Sequence, residues 1–211
     1  MLNKLKLSKH QFLLLMAVLP FNGFIYYGAR LLTRGSIHYS LALKADFTIP
    51  YVSWTIMIYW GCFIFWTINY LICMKYDKGD GYRFILSHFI GEAICFLIFI
   101  TLPTTMKRAE PGLSGLSNQL VQLTYSFDEA NNLFPSIHCF VSWLCFIGVR
   151  NNKHIPCWYR FLSLMMAIAV CISTLTVKQH VIMDVFAGIV VAETAYLLST
   201  LIQKPAKLKE V

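Results

Sequence analysis

Charge is scarce in this sequence, and acidic charge is scarcest: of 211 residues only ten are Asp or Glu and 18 are Lys or Arg. Charged residues make up 13% of the chain, against about 25% in ordinary soluble domains. A disordered chain needs high charge and few apolar residues, so disorder is excluded. A soluble globular domain is disfavoured on the same ground. The chain also lacks a Gly-rich loop that would cradle nucleotide phosphates, and its carboxylates are too dispersed for a two-metal cluster. It has no internal repeat and no low-complexity stretch. The seven cysteines are odd in number, form no Cys-x-x-Cys, and fall almost entirely in apolar runs. They read as small buried hydrophobes rather than a disulfide frame or a zinc site.

What is abundant is apolar surface. Hydrophobic residues are 57% of the chain, and mean hydropathy is +0.59. A membrane-crossing helix needs about 20 mostly apolar residues. Six such spans would use somewhat more than half of the chain, leaving no second sizeable domain. The expectation is a single integral-membrane domain over residues 1–211, with its core at about 45–203.

Six apolar runs are visible: Gln11–Leu32, Tyr51–Met74, Phe84–Leu102, Ile137–Val149, Trp158–Val177 and Val181–Ile202. The first follows Lys4, Lys6 and Lys9, as a cleaved signal peptide would. Its apolar stretch continues through Phe21, Ile25, Tyr26 and Tyr27, which is long for a signal core, so a retained helix is expected. The fourth run is short and spans only if the Phe134-Pro135-Ser136 turn belongs to it. The fold expected is all-α, a six-helix transmembrane bundle.

The +8 net charge fits membrane orientation before it fits nucleic acid. With the N-terminus inside, twelve cations fall in inner segments: Lys4, Lys6, Lys9, Lys75, Lys78, Arg83, Arg150, Lys153, Arg160, Lys204, Lys207 and Lys209. Six fall outside: Arg30, Arg34, Lys44, Lys107, Arg108 and Lys178. The bias predicts both termini in the cytoplasm of a multi-pass protein of the cell membrane. The longest connection, about 103–134, then lies outside, and long loops are often functional.

Two short segments at that outer face carry chemistry. One is Asn132-Leu133-Phe134-Pro135-Ser136-Ile137-His138, opening the fourth run. Proline fits the first helical turn there, and free backbone N–H groups attract an anion. The other is Lys178-Gln179-His180-Val181-Ile182-Met183-Asp184, opening the sixth. His180 and Asp184 are four apart, which on a helix puts them on one face. A carboxylate on one imidazole nitrogen fixes the tautomer and leaves the other nitrogen free to attack. Alone, the pair reads equally well as packing; with His138, Lys178 and Arg108 at the same level, function is the better reading. Asp128 and Asn132 read as loop structure with a pocket role open. His88 and Glu92, also four apart, and Glu193 read as interhelical polar contacts. His10, His38 and His154 need no special role.

The Phe134–His138 segment followed some forty residues later by His180-x-x-x-Asp184 resembles the type 2 phosphatidic acid phosphatase superfamily. The resemblance covers about 45–200 and implies a membrane-embedded phosphatase or phosphotransferase acting on lipid phosphates through a phosphohistidine, without metal or other cofactor. By the resemblance, His180 is the nucleophile, Asp184 its orienting carboxylate, and His138 the general acid. Ser136 and the amides after it match phosphate ligands. Arg108 stands at the loop arginine, although Ala109-Glu110 separates it from Pro111. The family lysine seven residues earlier falls on Thr101, and Lys107 is the nearby substitute. Ile137 replaces the family glycine. The family Ser-Arg falls on Ser173-Thr174, with Lys178 one turn later as replacement cation. These departures resemble a branch holding bacterial members and inositol phosphorylceramide synthase-like transferases, where Asp-x-x-Ile-Pro opens the second helix as Asp46–Pro50 does here.

The substrate partner so implied is a lipid phosphate among membrane lipids, with no nucleic acid; the oligomeric state is open. The alternative class is a transporter or a catalytically inactive lipid-binding protein. A transporter more often shows repeats and broken helices near the midplane. A third reading, metal binding by His138, His180 and Asp184, lacks a further strong ligand.

Overall fold

The computed structural model describes residues 9–203 except 77, 113 and 151. Seven α-helices run through them: α1 Lys9–Leu32, α2 Ile56–Tyr76, α3 Lys78–Thr101, α4 Leu116–Phe127, α5 Ile137–Arg150, α6 Cys157–Thr176 and α7 Ile182–Ile202. Short 3-10 turns at Lys44–Phe47 and Ser53–Thr55 lead into α2. Among the described residues no β-strand forms, only isolated bridges pairing Tyr39 with Thr104 and Thr105 with Asn131.

Five segments are long and apolar enough to cross a membrane: Gln11–Leu32, Ser53–Lys75, Gly81–Thr101, Cys157–Thr176 and Ile182–Ile202. Their outer faces are apolar too, with Phe24, Ile64, Phe161, Phe186 and Leu197 exposed. Such a surface is stable against lipid and not against water. This is a membrane protein.

Helix α5 is the exception in length. Its 14 residues reach about 21 Å at 1.5 Å per residue, short of a hydrocarbon core of about 30 Å. It is also the most enclosed helix, in contact with α2, α3, α6 and α7. Phe140, Leu144 and Ile147 are fully buried. Two glycines let its neighbours close on it. A Cβ on Gly91 of α3 would lie 2.2 Å from the Phe140 ring, and one on Gly188 of α7 would lie 2.6 Å from the Ser136 carbonyl oxygen.

Helix α4 was not anticipated. It sits in the long connection and buries Val121 and Thr124. Trp60 Nε1 donates to Thr124 Oγ1 at 2.9 Å, fixing α4 across the start of α2.

The helices alternate in direction. Gln11 Nε2 near the start of α1 donates to Met74 O near the end of α2. At the opposite end, Tyr39 N donates to Pro103 O, Val52 N to Thr176 O, and Ser136 N to Asp184 O. That end gathers the starts of α2, α5 and α7, the ends of α3 and α6, and α4. Lys4, Lys6, Lys204, Lys207 and Lys209 lie outside the described residues. The polar pairs read from the sequence join helices. His88 Nδ1 and Tyr70 Oη are 2.7 Å apart, Asn22 Nδ2 donates to Glu92 Oε1 at 3.0 Å, and Arg150 grips Glu193 at 2.6 and 2.9 Å.

Candidate active site

Helix α6 ends in a turn that sets up the site. Lys178 takes a left-handed conformation, φ 55°. Gln179 N reaches back to Thr174 O at 3.0 Å and Lys178 N to Leu175 O at 3.2 Å. This is the Schellman arrangement, usually built with glycine. It reverses the chain so that His180 stands at the mouth of α7.

Asp184 then does two jobs. Its Oδ2 accepts from Val181 N at 3.0 Å, capping α7, and from the His180 ring at Nδ1, 3.2 Å away. The contact therefore forms through the capping turn, since α7 begins at Ile182, two residues after His180. His180 and Asp184 are both buried. Burial pulls the His180 imidazole pKa down, but the hydrogen bond and charge of Asp184 outweigh it and the net displacement is upward.

Pro135 does not occupy the first helical turn of α5. Ser136 is the cap, its Oγ accepting from Cys139 N at 3.3 Å, and Pro135 precedes it. A proline at that place sets the chain direction without costing a helical bond. His138 follows as the second residue of α5 and stacks on Tyr59, ring centroids 4.4 Å apart. Its Nδ1 lies 3.5 Å from Tyr59 Oη. The tie from Ser136 N to Asp184 O, 3.0 Å, joins the two helix starts that carry the histidines.

His138 and His180 face one cavity of about 300 Å³, their ring centroids 6.1 Å apart. Aromatic side chains of α1 and α2 wall it, among them Tyr26, Tyr59, Trp60, Phe63 and Trp66. Asp128, Asn131 and Asn132 complete the lining near the histidines. Tyr26 Oη donates to Asp128 Oδ1 at 2.5 Å and Tyr59 Oη to Oδ2 at 3.4 Å, so α1 and α2 both hold that carboxylate. The pocket role that the sequence leaves open for Asp128 and Asn132 is the one the structure shows, since both line the cavity. Asp128 follows α4 and Asn132 stands four residues before the Pro135-Ser136 cap; that nearness to the motif was the signal available.

The anticipated cations are arranged differently from one another. Arg108 donates through Nη1 to Asp128 O and lies over the Tyr125 ring, 4.5 Å from its centroid. Its Nε and Nη2 are buried and have no protein partner. Lys107 is exposed. Lys178 turns to the chain itself, with Nζ donating to Ile49 O at 2.6 Å and Asp46 O at 3.1 Å. Desolvation lowers its pKa, opposed by the Asp46 carboxylate. None of these three lines the cavity. Asp46 is buried and its Oδ1 accepts from Ile182 N at 2.8 Å, which caps α7 from a segment 136 residues away.

A family model, the PAP2 superfamily, matches residues 80–207, more than half of the chain. The chain belongs to the PAP2 superfamily. Membership makes it a phosphatase or phosphotransferase by class. The matched region of this PAP2 protein contains Arg108, Ser136, His138, Lys178, His180 and Asp184. It excludes α1, α2 and Asp46, and with them the aromatic walls of the cavity. No curated protein and no solved structure matches the chain.

Proposed function

We propose that this PAP2 protein removes or transfers the phosphoryl group of a lipid phosphate through a phosphohistidine, at the extracytoplasmic face of the cell membrane. In this reading α1, α2, α3, α5, α6 and α7 are the six spans, and both termini are cytoplasmic. One observation carries it: two histidines, one on α5 and one in the turn before α7, face one cavity at the site end of the bundle, and one of them is bonded to a buried carboxylate.

His180 presents its free nitrogen, Nε2, to phosphorus because Asp184 occupies Nδ1. The lone pair of Nε2 forms the P–N bond as the ester P–O bond breaks. His138 gives its proton to the departing oxygen. Neutral His138 then takes a proton from water or a lipid hydroxyl, which attacks phosphorus, breaks the P–N bond and returns both histidines to their starting state. The amides after Ser136 meet the phosphate charge directly, and Arg108 and Lys107, which lie outside the cavity lining, add positive potential beside it. Lys178 supports the site by holding the Asp46–Ile49 segment against α7.

The test is phosphate release from a lipid phosphate by purified protein in mixed micelles. His180→Ala should lower kcat by at least about 10³-fold. Undiminished turnover by that variant would reject the phosphohistidine. The same assay separates catalysis from a transporter or an inactive lipid-binding protein, in which the intact chain releases nothing.

A further inference from the structure

We propose that Asp128, acting through the Tyr59 hydroxyl, positions the general acid His138 as Asp184 positions His180. The proposal rests on the catalytic reading above. In that reading His138 must carry a proton on one chosen nitrogen and hold that nitrogen toward the leaving oxygen. The Phe134–His138 segment itself contains no carboxylate to do this.

His138 stands among rings. Tyr59 stacks on it with centroids 4.4 Å apart, Trp66 lies tilted at 5.7 Å and Phe63 edge-on at 6.2 Å. Trp66 Nε1 is spent on Ser142 Oγ, 2.8 Å away, and phenylalanine offers no polar atom. Tyr59 Oη reaches the imidazole, 3.5 Å from Nδ1. The same oxygen lies 3.4 Å from Asp128 Oδ2. A tyrosine hydroxyl has one proton to give and can also accept. With that proton given to the carboxylate, Tyr59 Oη accepts from the Nδ1–H of His138. Both links are long, as catalytic hydrogen bonds often are before a substrate binds.

The direction of these bonds fixes the tautomer. Nδ1 keeps its hydrogen, so Nε2 is the nitrogen that loses a proton to the departing alkoxide and later regains one from water or a lipid hydroxyl. A protonated ring between aromatic walls is costly without a counter-charge, and Asp128 is the acidic residue in the cavity lining. The backbone alone brings it there. Asp128 N donates to Thr124 O at 2.9 Å, closing α4, and Asp128 O accepts from Arg108 Nη1. Thr124 is in turn bonded to Trp60, the chain neighbour of Tyr59. The second carboxylate oxygen takes the Tyr26 hydroxyl at 2.5 Å, so the first is left facing Tyr59.

The test turns on the leaving group. An alkoxide needs a proton to depart and a nitrophenolate does not, so weaker acid catalysis slows an alkyl phosphate and spares a nitrophenyl phosphate. The purified full chain in mixed micelles is given hexadecyl phosphate or a nitrophenyl phosphate bearing the same alkyl chain. The readout is kcat/KM, which covers the steps up to P–O cleavage. Tyr59→Phe keeps the stacked ring and removes the hydroxyl; Asp128→Asn keeps the shape and removes the charge. Each should lower kcat/KM about tenfold or more on the alkyl ester and less than about threefold on the nitrophenyl ester. Retained turnover of the nitrophenyl ester shows that a variant is folded, and either variant decides the matter alone. Tyr26→Phe takes a hydroxyl from the same carboxylate but none from His138, and should not widen the gap between the esters. His138→Ala sets the scale with the widest gap. Equal losses on both esters, or none, in Tyr59→Phe and Asp128→Asn overturn the role of Asp128 while the gap in His138→Ala keeps the catalytic reading standing. A gap opened as far by Tyr26→Phe overturns it too. Equal losses in His138→Ala overturn the acid assignment, and the positioning role with it.

Discussion

At His180, burial and Asp184 act in opposite senses on the same proton. Burial favours the neutral ring; the carboxylate at 3.2 Å favours the imidazolium and prevails. The attacking ring is neutral and the donating ring of His138 protonated, so kcat should follow a two-limbed pH profile in which the midpoint that reports His180 lies above the ordinary imidazole value of about 6.5. Replacing Asp184 by Asn removes the charge and leaves burial, so that midpoint should move to lower pH, by about one unit or more. The variant should also lose about 10²- to 10⁴-fold in kcat as the ring loses its orientation. A pH–rate profile of both proteins checks this, and an unmoved midpoint would refute the assignment. The linkage to stability has the opposite sense. A raised histidine pKa contributes stability that is complete below about pH 6.5 and is lost as pH climbs through the raised value. At this scale the local motifs were legible, because Ser136, His138, His180 and Asp184 lie within a few residues of a helix start. For Asp128 and Asn132 only an open pocket role was legible, because what surrounds them, Tyr26 and Tyr59 at Asp128 and the cavity walls at both, comes from elements far away in the chain.

The elements that carry the site are short and depend on one another. The start of α7 is capped twice, by Asp184 from within and by Asp46 from the loop before α2. Asp46 also accepts from Leu43 N at 2.7 Å, and Lys178 grips the carbonyls of Asp46 and Ile49. The loop before α2 and the turn before α7 are thus one bonded unit. Asp46→Ala should lower kcat about tenfold or more with KM little changed, since a displaced His180 loses alignment rather than affinity. Asp46→Asn keeps an accepting oxygen for Ile182 N and should restore part of the loss. No rescue by Asn, with KM rising instead, would make Asp46 a substrate ligand. The apolar runs were legible to within a few residues, for example Gln11–Leu32 and Ile182–Ile202 against expected limits of Gln11–Leu32 and Val181–Ile202. Periodicity and run length suffice for a helix that lipid must cover. They miss α4, whose 12 residues pack against α2 through Trp60 and Thr124 and carry no long apolar run. The phosphate role expected of Lys178 came from the family resemblance; in the structure its Nζ reaches back 129 residues to Ile49 O.

Across the whole molecule, the two ends of the bundle differ in charge and in exposed thiol. The end away from His180 holds Lys75, Arg83, Arg150, Lys153 and Arg160, and the site end holds Arg30, Arg34, Lys44, Lys107, Arg108 and Lys178. The proposed orientation, with that end in the cytoplasm, rests on the count of twelve inner and six outer cations read from the sequence. The cations left at the site end are partly spoken for, Arg30 by Glu129, Arg108 by Asp128 and Lys178 by the loop before α2. They therefore weigh less as orientation signals than as parts of the site. The cysteines provide the test. Cys157, at the start of α6 on the cytoplasmic side in this reading, is exposed, and the other six are buried. Ser114, beside α4 at the site end, is exposed as well. In sealed, right-side-out vesicles a membrane-impermeant maleimide should label the Ser114→Cys variant at its new thiol and should reach Cys157 only after detergent. Labelling of Cys157 in sealed vesicles, with the introduced thiol protected, would reverse the orientation and move the active site to the cytoplasmic face.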